Sequence, residues 1–459
     1  MKKIDKFYRV LLYLAPVMFF FSFWPALNFG KSNTTHYKIP LVLVWLVIFD
    51  IVSIILLFKK KLFKNIKKYY YFLLFPVFAT ISLIWSPDRL RGLLMVGFLW
   101  LIIIAIFSVF LLKKEYFNKK FKKNFLKIFF GSSVAIGAYC IIQCIMDIFG
   151  VSREITLACP GCTYMTFGFP HPNGFAIEPQ FMGNLLLAPT MLAGYYMLRD
   201  KKYVWLFAFL TSALFLTFSR GAIYAFILSM LIYTVVKIFK TKKWHALWLW
   251  PVIILAFLFT LNLQGIFAQI SKTNDTYFTG IAKVIDQLSL GKIDLRKIGD
   301  QNNEPKDENV TDKKDEEGIS STFDGYVEVS TNDRVGVNDA MLATWKRDFT
   351  TVMFGAGFGG AGVAMYEAGE MDAPGEGGQN FYFTTLLETG LVGILLFMFA
   401  IFMIVKIISK NSGKEIILTL GFAYAITLMF FAGYINAVHV FLLPVILLAL
   451  FEGGVPVKR

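Results

Sequence analysis

Histidine and cysteine are scarce, with four of each in 459 residues. A zinc site needs three or four such ligands together. Cys159 and Cys162, in ACPGCTY, have only His171 near them, so neither a metal nor another cofactor is expected. A thioredoxin-like reading of the pair needs a βαβ surround, which is missing, and a local disulfide or two free thiols remain open. Cys140 and Cys144 fall one helical turn apart in an apolar run and read as packing residues. Acidic side chains are also few, 31 Asp and Glu against 46 Lys and Arg. The start, MKKIDKFYRVLLYLAPVMFFFSFW, has no small-residue cleavage site after its apolar run, so a retained first helix is expected rather than a cleaved signal. GAGFGG at 355–360 matches G-x-G-x-x-G but follows no convincing strand and has no βαβ unit, which excludes a nucleotide-binding fold. Its glycines are expected to let the backbone approach the membrane surface or a ligand.

What the chain has in abundance is hydrocarbon. It is 56% hydrophobic with 49 Phe and a mean hydropathy of +0.60, beyond the range of soluble domains. The expected fold is an all-α integral membrane protein of about twelve transmembrane helices with one long extracytoplasmic loop. Apolar stretches of bilayer length fall at roughly 8–29, 38–58, 70–87, 92–112, 126–149, 174–197, 203–218, 221–239, 246–264, 380–408, 416–434 and 437–454. Residues 1–264 would carry nine spans, 265–379 the loop and 380–459 three more spans.

The net charge of +15 invites a nucleic-acid reading, but its distribution excludes one. Basic residues gather in short blocks between apolar runs, such as KKKLFKNIKK at 59–68, KKEYFNKKFKK at 113–123 and KIFKTKK at 237–243. Every second connection is basic, the pattern of cytoplasmic loops. This puts both termini in the cytoplasm of an inner-membrane protein, with anionic lipid heads as contacts. The loop is the acidic part, with 20 Asp and Glu against 11 Lys and Arg. Its middle, 300–322, is too polar to form a core. In 334–349, Val337, Met341, Trp345 and Phe349 recur every fourth residue and predict an amphipathic helix.

One arginine interrupts LTFSRGAIYAFI at 215–226. At a helix centre it would cost about 2.5–3.5 kcal/mol, but the topology puts Arg220 at an outer helix end. There it could simply snorkel to the headgroups. Alternatively, Ser219 caps the next helix, and helix N-terminus and guanidinium together form an anion site for a lipid phosphate or pyrophosphate. Other polar residues fall at the same depth. FGFPHPNGFAIEPQFMG brings His171, Asn173, Glu178 and Gln180 to the outer turns of one span, and QNFYFTTLLETGLVG brings Asn380 and Glu388 to another. A buried carboxylate in a membrane is a candidate functional group; a structural hydrogen bond between helices is the alternative reading of Glu178 and Glu388.

Three segments in order, LTFSRGAIYAF, TNDRVGVNDAMLATWKRDFTTVMFGAGFGG and NFYFTTLLETGLVG, resemble the O-antigen ligase and polymerase superfamily of bacterial membrane glycosyltransferases. The resemblance covers about 170–410. It implies transfer of a glycan from an undecaprenyl-pyrophosphate carrier to a glycan or glycolipid acceptor at the outer face, without nucleotide sugar or metal. A chain-length regulator protein is a further partner that it implies. Arg220 matches the family's Ser-Arg-Gly arginine, expected near the pyrophosphate, and Arg334 the loop arginine that precedes the amphipathic helix. Both are expected to act in catalysis, with Ser219, His171, Glu178, Gln379, Asn380 and Glu388 as the expected substrate contacts. Ligases of this family typically carry a histidine near the matching asparagine as the suspected base; Gln379 stands there, and no histidine occurs between 246 and 438. The resemblance therefore favours a polymerase-like enzyme over a ligase, with Glu376 and Asp372 as candidate bases; a solvated acidic turn is their alternative reading. A lipid-linked oligosaccharide flippase is the reading from another class. It would move its substrate without consuming it, and its two halves would be related; no such repeat is visible.

Overall fold

The computed structural model describes residues 2–31, 36–159, 162–164, 168–242, 244–271, 276–289, 293, 326–374, 378, 380–409, 413–430 and 437–451. In chain order its helices are α1 (Lys2–Met18), α2 (Leu41–Lys59), α3 (Tyr71–Ser82), α4 (Arg89–Tyr116), α5 (Lys119–Ile148), α6 (Arg153–Thr156), α7 (Pro179–Met197), α8 (Val204–Leu216), α9 (Arg220–Thr241), α10 (Leu249–Ile270), α11 (Tyr277–Ser289), α12 (Tyr326–Trp345), α13 (Phe349–Phe354), α14 (Ala361–Glu367), α15 (Phe381–Ile408), α16 (Lys414–Thr427) and α17 (Val438–Phe451). Each of the twelve apolar stretches overlaps one of these helices. Six helical segments are long and apolar enough to cross a membrane among the described residues: α2, α4, α5, α9, α10 with the turn before it, and α15. The protein is a helical membrane protein.

Helix starts are set by local chemistry. Asp88, Asn118 and Asn380 accept hydrogen bonds from first-turn amides of α4, α5 and α15, each cap contributing about 1 kcal/mol. Lys113 and Lys114 lie in the last turn of α4, beside its negative dipole end. Between the helices the phenylalanines interlock; Phe121, Phe125 and Phe129 stack along one face of α5. Where helices approach closest, glycine replaces them. A Cβ at Gly137 would lie 2.9 Å from the Phe209 ring and one at Gly194 would lie 3.0 Å from Phe207. Lipid offers no hydrophobic drive for helices to associate, so such close fits hold a bundle together.

The basic connections meet at one end. Lys60, just after α2, pairs with Asp5 of α1 and Glu115 of α4, and Tyr116 also bonds Asp5. Lys237 of α9 pairs with Glu415 of α16. The other end, where the Phe430 ring lies on Gly221 and the Phe381 amide bonds the Leu428 carbonyl, is the loop end.

Two expectations need correction. The first apolar run, 8–29, is helical only to Met18. Beyond it, β1 (Ala26–Lys31) pairs antiparallel with β2 (His36–Pro40) in a small hairpin. After Met18 the Phe23 and Trp24 amides donate to the Phe175 carbonyl instead of back along a helix, and Pro25, with no amide hydrogen, keeps the chain from resuming one. The amphipathic helix expected over 334–349 starts earlier, at Tyr326, and stops at Trp345. Asp348 accepts hydrogen bonds from the Thr351 amide and hydroxyl and starts α13 instead, leaving Phe349 77% exposed. The polar insertion at 300–322 lies outside the described residues.

Candidate functional site

The interruption in LTFSRGAIYAFI is a hairpin with a connection of three residues, Thr217 to Ser219. α8 ends at Leu216, Phe218 takes a left-handed conformation (φ 45°), and Ser219 is extended. A bulky side chain is rarely found there. Phe218 is held by burial against Phe169. Ser219 Oγ then accepts from the Ala222 amide at 3.4 Å and starts α9, with Arg220 as its first residue.

His171 underpins this turn. It lies among Phe169 and Phe218, against the backbone of Thr217 and Phe218, with Arg220 in electrostatic range. Burial disfavours its charged form and lowers its pKa from 6.5 to about 4; the Thr217 and Phe218 backbone opposes this, and Arg220 adds to it. His171 is therefore neutral at physiological pH.

α7 crosses the same turn. A Cβ at Gly183 would lie 2.8 Å from that of Ala222 and 2.9 Å from that of Ser219, so only glycine allows this approach. At the start of α7, Gln180 Nε2 donates to the Phe430 carbonyl at 2.9 Å, and the Phe430 ring lies against Gly221. Glu178 precedes α7 and lies within electrostatic range of Arg334, on α12. The same helix buries Met341 against Gly378 and Thr384. Asn380 caps α15 by accepting from the Tyr382 and Phe383 amides at 3.0 and 3.3 Å. The next residue, Phe381, donates its amide to the Leu428 carbonyl. Arg220, at the Ser219-capped start of α9, thus lies within electrostatic range of His171, and Arg334 within electrostatic range of Glu178. A capped helix N-terminus with an arginine as its first residue is suited to an anion.

Of the remaining expected residues, Glu388 is buried against the glycine turn, Asp372 is exposed and two lie outside the described residues. Glu388 is buried at 5% exposure, with hydrogen bonds from the Gly359 and Ala361 backbone and the charge of Arg91 nearby. It anchors the glycine turn, the structural reading of that carboxylate. Asp372 is exposed, while Glu376 and Gln379 lie outside the described residues.

The glycine-rich stretch also has a different partner from the one expected. Trp85 Nε1 donates to the Gly355 carbonyl at 3.2 Å, Ser86 Oγ to the Phe358 carbonyl at 3.1 Å, and the Phe358 amide to Ser82 Oγ at 3.1 Å. A Cβ at Gly357 would lie 2.4 Å from Ser86 Cα. The glycines admit the α3–α4 turn. That turn, with Ser86 and Arg91, went unnoticed in sequence because nothing local pairs it with a segment 270 residues away.

Below the site, α3, α4, α15, α16 and α17 enclose an almost wholly apolar cavity of about 380 Å³. Its lining includes Tyr382 and Leu428 next to the loop end, and Ile408 and Ile417 towards the basic end. Compared with protein-family models, with curated proteins and with solved structures, the chain matches none.

Proposed function

We propose that the protein is a membrane glycosyltransferase that moves a glycan from an undecaprenyl-pyrophosphate carrier to a sugar hydroxyl at the outer face of the membrane. The observation that carries this reading is Arg220 as the first residue of α9, whose start Ser219 caps, in an otherwise apolar bundle. The apolar cavity beneath supports it, since part of a polyprenyl chain fits there while its pyrophosphate reaches the arginines. The topology in this reading has twelve crossings, both termini in the cytoplasm and the long loop outside.

In the reaction, the acceptor oxygen attacks the anomeric carbon from the face opposite the leaving group. The bond from that carbon to the phosphate oxygen breaks, and its electron pair leaves with the pyrophosphate. Arg220 and Arg334 stabilise the charge that develops there. Glu178, which lies within electrostatic range of Arg334, takes the acceptor proton. The absence of a histidine beside Asn380 favours a polymerase, which joins lipid-linked repeats, over a ligase.

The test is transfer by purified protein supplied with its lipid-linked repeat. Arg220→Ala should lower kcat by about 10²–10³-fold while the melting temperature is kept; undiminished turnover would sink the reading. In a deletion strain, accumulated single repeats indicate a polymerase and accumulated lipid-linked polymer a ligase.

A further inference from the structure

A second cavity, of about 460 Å³, opens at the loop end between the segment after α1 and the α5–α7 connection. We infer that this cavity, bounded by Phe23, Trp24, Arg153, Glu154, Asn173 and Ile177, is a saccharide subsite that holds a pyranose ring of the glycan. The inference rests on the transferase reading for the identity of the glycan, and on the cavity's own chemistry for the class of ligand.

Two aromatic side chains form one part of its wall, and an exposed cation and anion, Arg153 and Glu154, stand next to each other in another. A pyranose has an apolar face of C–H groups and a rim of hydroxyls. Indole and phenyl rings suit the face, while carboxylate and guanidinium suit the rim, as in other pockets where a few polar groups fix orientation. Other ligand classes fit less well. Arg153 and Glu154 balance in charge, which disfavours a phosphate, and their presence with Asn173 disfavours a lipid tail.

The floor is preorganised. Asn173 is 1% exposed. Its side chain accepts from Gln143 Nε2 at 3.0 Å and donates to the Leu157 and Ala176 carbonyls at 3.2 and 2.6 Å. Gln143 Oε1 accepts in turn from the Asn173 and Gly174 amides. The Phe23 and Trp24 amides both donate to the Phe175 carbonyl, at 3.1 and 3.0 Å, and Tyr139 stacks on the Phe175 ring at 4.6 Å. Cys159, on the rim, is tied to Cys162 by a disulfide. Rigid walls lower the ordering cost of binding. The segment that supplies Asn173 and Ile177 continues directly into Glu178. A sugar in this cavity therefore lies beside the proposed reaction centre, and its role is to hold the glycan rather than to react.

The experiment uses the full chain in detergent and the repeat-unit oligosaccharide released by mild acid from the host's own lipid-linked pool. Binding of this free sugar is followed by saturation-transfer NMR and titration. Wild type and Arg220→Ala should bind alike. Trp24→Ala and Arg153→Ala should each weaken binding at least tenfold, and Trp24→Phe should keep it within about threefold. With the lipid-linked repeat, Trp24→Ala should raise KM and leave kcat unchanged. Arg153 is exposed, so its variant keeps the test valid if Trp24→Ala melts early. Free sugar that does not bind wild type, or that binds both alanine variants like wild type, overturns the subsite. If wild type binds the sugar through Trp24 and Arg153 yet transfers nothing, the subsite stands and the transferase reading falls.

Discussion

The side-chain amide of Gln180 and the backbone carbonyl of Phe430 are 2.9 Å apart, 250 positions distant in sequence. This bond fixes the start of α7 to the turn that ends α16 and holds the Phe430 ring over Gly221, next to Arg220. At Gly221 a Cβ would meet Phe430 atoms at 3.0 to 3.1 Å. Gly221→Val should therefore lower stability by about 1–3 kcal/mol through overpacking and reduce transfer, because Arg220 is displaced with the turn. Thermal melts and initial rates measure both; a variant that melts and reacts like wild type would remove Phe430 from the account.

Glu178, just before α7, and Arg334 of α12 lie within electrostatic range of each other. Glu178→Gln and Arg334→Ala should each lower kcat/KM at least tenfold. The double variant should lose clearly less than the product of the two, with a coupling of about 1–3 kcal/mol. Strict multiplication of the two effects would mean that the residues act independently.

His171 predicts an acid limit. Its folded pKa is depressed, from 6.5 to about 4, so the unfolded chain binds the extra proton first as pH falls. The stability contributed by neutral His171 is complete above pH 6.5 and is lost as pH drops through about 4. His171→Phe, which keeps a ring between Phe169 and Phe218, should flatten this part of the melting-temperature profile between pH 6.5 and 4.5. Parallel profiles for the two proteins would exclude His171 protonation as the cause.

Two glycines of the loop should respond in opposite ways. Gly357 has φ 101° and no room beside Ser86, so Gly357→Ala should cost several kcal/mol or prevent folding. Gly336 lies within α12 with nothing within 4 Å of its would-be Cβ. Gly336→Ala should raise stability by up to about 1 kcal/mol. Yields and melting temperatures of the two variants decide it; equal tolerance of both changes would refute the clamp.

The features legible in sequence were local ones. Ser219 and Asn380 are capping residues at the positions expected, because a cap needs only a polar side chain and the next few amides. The row of Val337, Met341 and Trp345 identified the face of α12 that is buried or half-buried, yet not its end, since Asp348 restarts a helix where periodicity alone continues. The first run, 8–29, looked long enough to span because hydropathy counts apolar residues without asking whether Pro25 allows a helix. The glycine turn against Ser86, the network around Gln143 and Asn173, and the pairing of Glu178 with Arg334 all join distant segments. No pattern within a single stretch encodes them.

At Gly390, with φ 63° and ψ −168°, α15 breaks into two. The carbonyls of Leu387 and Glu388 accept from the Ala356 and Gly357 amides, and the chain at Met353 and Phe354 lies tight against Gly390. The upper half of α15, from Phe381 to Thr389, is thereby stapled to the loop, while the lower half, from Leu391 onward, runs on along the bundle. A rotation of the loop would carry the Asn380 cap with it and leave the membrane part of the helix in place, with Gly390 as the pivot.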